Sequence, residues 1–188
     1  MKDKNSTEEI QRLVHEAQAG DEMSVTRLYE LFSERIYRYI ILRVSHRETA
    51  EDLTQTVFLE MIRSLHRYKK QEDVKFTTWL FQIARHRLID HYRRSKTVVP
   101  IDELADSHAE LQVAPEEANV DSYYARVKKI LHKLSEQQQS IIHLSYKEDM
   151  KPAEIAKITG MSAITVRVEK HRALNKIREM LSKEYKIL

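Results

Sequence analysis

Residues that interrupt helices are scarce in this chain, and they fall in few places. Gly20 and Gly160 are the only glycines in 188 residues, and two of the three prolines, Pro100 and Pro115, stand in one stretch. A chain so poor in turn-formers cannot make the many tight turns of an all-β fold. Its charged fraction of 32% instead supplies solvated helix faces. Strand-like alternation is absent. The expected fold class is therefore all-α, as two small helical domains joined by a flexible acidic linker.

Charge divides the chain where the prolines do. The net charge of +3 is too small to point to nucleic acid, but its distribution is uneven. Residues 1–95 hold 17 Lys/Arg against 15 Asp/Glu, residues 96–120 hold 1 against 6, and residues 121–188 hold 14 against 8. These are nets of +2, −5 and +6. A mixed block, an acidic strip and a basic block suggest domains at 1–95 and 121–188 with a linker over 96–120. The strip's acidity can also be merely solvating.

Helical periodicity fills both blocks. Ile10, Leu13, Val14 and Ala17 share one face, closed by Gly20. Asp21 can cap a second helix with Val25, Leu28, Phe32, Ile36 and Ile40 inside. A third carries Leu53, Val57, Met61 and Leu65. The polar stretch from Arg67 to Lys75 breaks the pattern, and Thr77 or Thr78 starts a fourth with Trp79, Leu80, Ile83, Ala84, Leu88 and Tyr92. In the basic block, helices are expected near 121–134 and 136–147, then a short one from Pro152 carrying Ile155 and Ile158. Gly160 makes the turn, and Ser162 caps a longer helix to about Leu181. Short helix, glycine turn and longer basic helix form a helix-turn-helix pattern.

Several chemistries are excluded or disfavoured. With no Cys there are no disulfides, thiolates or cysteine-bound zinc. No apolar run approaches the roughly 20 residues that span a bilayer, and the start Met1-Lys2-Asp3-Lys4 is polar, so a soluble cytoplasmic protein is expected. His86, Asp90 and His91 have a metal-like composition, but Asp90 and His91 diverge by about 100° on a helix. No metal, cofactor or catalytic residue is expected, and the chain does not read as an enzyme.

The segment from Lys75 to Arg94 combines Trp79 with Arg85, Arg87, Arg93 and Arg94, which suits a nucleic-acid backbone and unstacked bases. A surface helix with a buried Trp has the same pattern. This segment resembles the last helix of domain two in extracytoplasmic-function (ECF) sigma factors, a subfamily of the sigma-70 family of bacterial RNA polymerase sigma factors. Ala50-Glu51-Asp52-Leu53-Thr54-Gln55-Thr56-Val57-Phe58-Leu59 is similar to that family's polymerase-binding helix. Leu134-Ser135-Glu136-Gln137, Ile155-Ala156, Gly160-Met161-Ser162, Thr165-Val166 and His171-Arg172-Ala173 resemble its domain four. The likeness covers nearly the whole chain in the right order.

The resemblance implies a non-enzymatic specificity factor that binds core RNA polymerase through the clamp helices of the largest subunit and the flap. It implies polymerase contacts from Asp52, Gln55 and Phe58. Upstream of the start site, the −10 element would be opened and read by the Arg67–Val74 loop, with Arg67, Tyr68, Lys69 and Lys70, beside Trp79, Arg85, His86, Arg93 and Arg94. The −35 element would be read by Ser162, Thr165, Arg167, Val168, His171 and Arg172. An anti-sigma factor is a further partner class, and the acidic linker would pass through the RNA exit region.

Departures from the family pattern are visible. His86 replaces a common Asn, and Val168-Glu169-Lys170 stands where Ser-Arg-Leu is common. Glu169 would face phosphates, Lys170 would sit on the core stripe between Val166 and Leu174, and Val168 offers only apolar contact, such as with a thymine methyl. Weak −35 reading helped by another DNA-bound partner, and a different −35 sequence read equally well, are both open. A stand-alone helix-turn-helix regulator, a helical interaction module and, last, a metal-dependent hydrolase are the competing functions.

Overall fold

A computed structural model describes residues 2–44, 46–69, 75–98 and 129–184. The chain divides into two compact units, Met1–Ala109 and Glu110–Leu188, and among the described residues there is no strand. Most of the 96–120 linker, the residues from Lys70 to Val74, and the start of the helix expected near 121–134 lie outside the described residues.

The first unit contains α1 (Lys2–Gln18), α2 (Glu22–Ile41), α3 (Arg47–Ser64), a 3-10 turn (Leu65–Arg67) and α4 (Phe76–Val98). Each helix packs on the next, and α4 returns to α2 and α1. The centre is filled by Leu28, Phe32, Ile36, Tyr39 and Ile40 of α2, with Val57 and Met61 of α3 and Leu80, Phe81 and Ala84 of α4. All ten are 0% exposed, so the helical spacing of the apolar residues became the core.

The first corner shows how local sequence fixes the path. Gly20 has φ +96°, and two bonds wrap the end of α1: Gly20 N–H to the Ala17 carbonyl and Asp21 N–H to that of Glu16, each 3.1 Å. This is a Schellman ending, which needs a residue that tolerates positive φ. Asp21 then accepts from the Ser24 N–H at 2.8 Å and starts α2, while Ser24 Oγ reaches Glu16 at 2.7 Å. The Ser24 bonds hold the Asp21 carboxyl below its ordinary value.

Two boundaries differ from expectation. α4 starts at Phe76, before Thr77 and Thr78, because Phe76 is itself core and Thr78 is fully buried. It also runs through Lys96 and Thr97 to Val98, which had been assigned to the linker, since no breaker precedes Pro100.

The second unit has helical residues 129–132, then α5 (Glu136–Tyr146), α6 (Pro152–Thr159) and α7 (Ala163–Glu184). Ser135 and Gln138 form a capping box at the start of α5. Pro152 opens α6, Gly160 closes it at φ +72°, and Ser162 accepts from the Thr165 N–H at 3.0 Å to begin α7. Ile141, Leu144, Ile155, Val166 and Ala173, all fully buried, join the three helices. The helix-turn-helix is thus present, with α7 as its second helix.

Candidate protein and nucleic-acid interfaces

On α3 the core positions Ala50, Thr54, Val57, Phe58 and Met61 leave one outward stripe. Asp52, Gln55, Leu59 and Ile62 recur every three or four residues, so they share a face within about a third of the helix circumference. Asp52 and Gln55 are exposed as expected, and Leu59 and Ile62 are 55% and 50% exposed. Phe58 is not part of this surface. It is 3% exposed, its ring 4.7 Å from that of Tyr29, and it anchors α3 to α2. Phe58 is therefore too buried to offer a direct contact, and the apolar side chains exposed on this stripe are Leu59 and Ile62. Apolar residues recurring on the polar face of α3 were the signal that could have found them.

The corner between α3 and α4 is held from a distance. Gln18, at the end of α1, donates from Nε2 to the carbonyl oxygens of Leu65 at 2.8 Å and Tyr68 at 2.7 Å. Behind these carbonyls Tyr68, Phe76 and Trp79 form an aromatic cluster, with centroid separations of 5.1 Å for Tyr68–Trp79 and 5.5 Å for the two pairs with Phe76. Phe76 continues inward to Phe32 at 5.6 Å. Trp79 is half-buried and Tyr68 partly so, and burial pushes the Tyr68 phenol above its ordinary value, keeping it a neutral donor. A cleft of about 320 Å³ lies beside the cluster, lined by Gln11, Arg12, Val14, His15, Gln18, Tyr68 and Phe76. Arg67 and Lys69 are exposed beyond it, while Lys70 lies outside the described residues. The corner thus presents an aromatic wall beside the exposed cations Arg67 and Lys69, suited to a base and its phosphates.

Along α4, His86, Arg93 and Arg94 are exposed and Arg85 is half-buried. Asp90 sits between Arg87 at 3.4 Å and Arg93 at 3.5 Å. Its carboxylate thus faces two arginines, and no cluster of three His, Cys, Asp or Glu placed to hold a metal occurs among the described residues.

On α7 the burial of Val166 and Ala173 fixes the inward side. Arg167, Val168, His171 and Arg172 are exposed, as expected. Ser162 and Thr165 are exposed at the helix start, with their hydroxyls 2.8 Å apart. His171 contacts Asn175 at 3.1 Å. The two odd residues are absorbed by their own unit. Glu169 accepts from Gln138 Nε2 of α5 at 3.0 Å and from Arg172 at 2.7 Å, and these bonds, Gln138 first, hold its carboxyl below the ordinary range. Lys170 places its ammonium 4.5 Å from the Tyr146 ring centroid, a cation–π contact that removes the expected conflict with the core. Glu169 thus stays an anion, but one held within its own unit by Gln138 and Arg172. The missed signal was Gln138, which lies 31 residues away in sequence.

Comparison with known proteins matches both units to one family. The Sigma-70 region 2 model matches residues 28–98, and the Sigma-70, region 4 model matches residues 124–177. The ECF RNA polymerase sigma factor ShbA of Streptomyces griseus is 31% identical over 186 residues, covering 94% of this chain and 97% of that protein. This chain belongs to the ECF RNA polymerase sigma factors. The ECF sigma factor BldN of Streptomyces coelicolor is also 31% identical, over 92% of this chain but 66% of its own length. Among solved structures, CnrH in complex with the cytosolic domain of CnrY shares the fold at TM-score 0.71 and 20% identity, covering 93% of this chain and 98% of its own. The sigma factor RpoE of Bartonella quintana, in complex with the anti-sigma factor NepR, does so at 0.68 and 22%, covering 84% and 96%. As an ECF sigma factor, the protein acts in transcription initiation with core RNA polymerase and promoter DNA, and no described helix is long and apolar enough to cross a membrane.

Proposed function

We propose that this sigma factor docks on core polymerase chiefly through the α3 stripe of Asp52, Gln55, Leu59 and Ile62. The observation that carries this is the exposure of two large apolar side chains in line with two polar ones on an otherwise core-forming helix. Apolar side chains supply the affinity of such a contact, and charge-assisted bonds from Asp52 to a basic surface fix its register.

With the first unit, about residues 1–95 extended to the end of α4, anchored this way, the α3–α4 corner meets the −10 element. Tyr68 and Trp79 offer an aromatic wall for an unstacked base, while Arg67, Lys69, Arg85, His86, Arg93 and Arg94 meet phosphates and base edges. In the second unit, α7 enters the major groove at the −35 element, with Arg167 reaching base edges from near its N-terminal end. Its partner Arg172 holds Glu169 and serves phosphates. The chain acts as a cytoplasmic, non-catalytic subunit that needs no cofactor. By analogy with the relative solved with an anti-sigma factor, an inhibitory protein of that class is a further expected partner. The contacts that hold Glu169 and Lys170 within their own unit favour a different −35 sequence read equally well over weak reading helped by a DNA-bound partner. A stand-alone regulator has no counterpart among these relatives. Titrating labelled core polymerase with the Asp52→Ala, Gln55→Ala double variant tests the docking: affinity should fall by more than about 1 kcal/mol without loss of helicity. Unchanged affinity removes the assignment.

A further inference from the structure

The start of α7 carries two large apolar side chains on its outward face. Ile164 is 71% exposed and Val168 43%, one turn apart, on the side away from buried Val166 and Ala173. Arg167 and His171 share that face. The two residues that would alter its chemistry are turned aside, Glu169 toward Gln138 and Arg172, and Lys170 toward Tyr146. What remains outward is an apolar pair beside the Arg167 guanidinium and the His171 imidazole.

We propose that Ile164 and Val168 read thymine, each lying against the C5-methyl group of a thymine in the major groove, beside a guanine held by Arg167. The proposal rests on the reading of α7 as the −35 helix and gives that helix its specificity. Among the four bases only thymine presents a methyl group in the major groove. A side chain without donors or acceptors gains from that methyl, whereas against adenine, guanine or cytosine it would strip water from a polar edge and replace nothing. Four residues of helix advance by about 6 Å, against about 3.4 Å per base pair, so the two thymines are adjacent or one pair apart. Arg167 lies between the two on the same face, where its fork can take guanine O6 and N7. Charge favours DNA over an apolar protein partner: residues 121–188 carry a net +6, and the acid of this helix turn is already engaged within the unit.

The test uses holoenzyme assembled from the full chain and bacterial core polymerase. Selection from a duplex pool randomised across the −35 region should return two thymines, adjacent or one pair apart, beside a guanine. Replacing either thymine by deoxyuridine, which removes only the methyl, should lower initiation about fourfold. Ile164→Ala should abolish that penalty at one position and Val168→Ala at the other, with core affinity unchanged. Both side chains are exposed, so circular dichroism should report unaltered folding. A selected −35 sequence without thymine, but still dependent on Arg167, overturns the proposal and leaves the −35 reading standing. A neutral deoxyuridine substitution overturns it as well. If the two variants weaken core binding instead, the face is a protein contact and the proposal is wrong. If the pool shows no −35 preference while transcripts still share a −10 element, the −35 reading falls and takes the proposal with it.

Discussion

α3 and α7 each expose a pair of large apolar residues, yet the pairs stand in opposite electrostatic company. Leu59 and Ile62 follow Asp52 on the same stripe, in a region of nearly balanced charge, whereas Ile164 and Val168 flank Arg167 in a region of net +6. Exposed apolar area alone says that something is covered; the neighbouring charge says what covers it. An acid beside aliphatic side chains fits a basic protein surface. A guanidinium beside them fits a nucleic acid with methyl groups in its groove.

The contrast can be broken most severely at α3. Replacing Leu59 and Ile62 together by Ala should weaken core-polymerase binding by about 30-fold or more, the scale of buried anchors, as read by fluorescence titration. Thermal stability should stay within about 0.5 kcal/mol, since neither side chain is in the core. A large loss of stability with unchanged affinity would make α3 a structural helix only.

The next effect lies between the two surfaces. Gln18→Leu removes the side-chain donor that ties the Leu65 and Tyr68 carbonyls to α1 and loosens the wall of the −10 corner. We expect a loss of about 1–3 kcal/mol in open-complex formation and altered −10 base preference, with core affinity retained. An unchanged start-site profile would make Gln18 a fastening that reading does not need.

The smallest effect sharpens the account of α7. The Glu169 carboxyl is held below its ordinary value of 4.5, so its bonds to Gln138 and Arg172 stabilise the unit above that pH and fade as acidification passes through the lowered value. Arg172 is largely exposed, so the contribution should be under about 1 kcal/mol. Urea unfolding between pH 3 and about 6 should show a small acid-side loss that Glu169→Gln removes. An identical profile in the variant would contradict the lock.

The helices and their ends were legible because their causes are local. Gly20, Asp21, Gly160 and Ser162 act within a few residues of themselves, and the apolar periods of α2 and α4 marked the core directly. What escaped depends on partners far along the chain. Gln18 meets carbonyls 47 and 50 residues away, and Glu169 meets Gln138 across 31. Phe58 and Leu59 are neighbours in sequence, yet about 100° of helix rotation separates the core anchor from the exposed side chain, which a motif match does not resolve. The polymerase and promoter roles came from the family resemblance. Periodicity alone left a regulator or an interaction module open.

The central claim is that the two surfaces work together only on polymerase. The direct measurement is binding to genomic promoter fragments at physiological salt, by the protein alone and with core polymerase, with transcript starts mapped in the same reactions. The account predicts weak, salt-sensitive binding without core, and discrete starts sharing −10 and −35 elements with it. Tight, sequence-specific duplex binding by the protein alone, with no affinity for core, would contradict it.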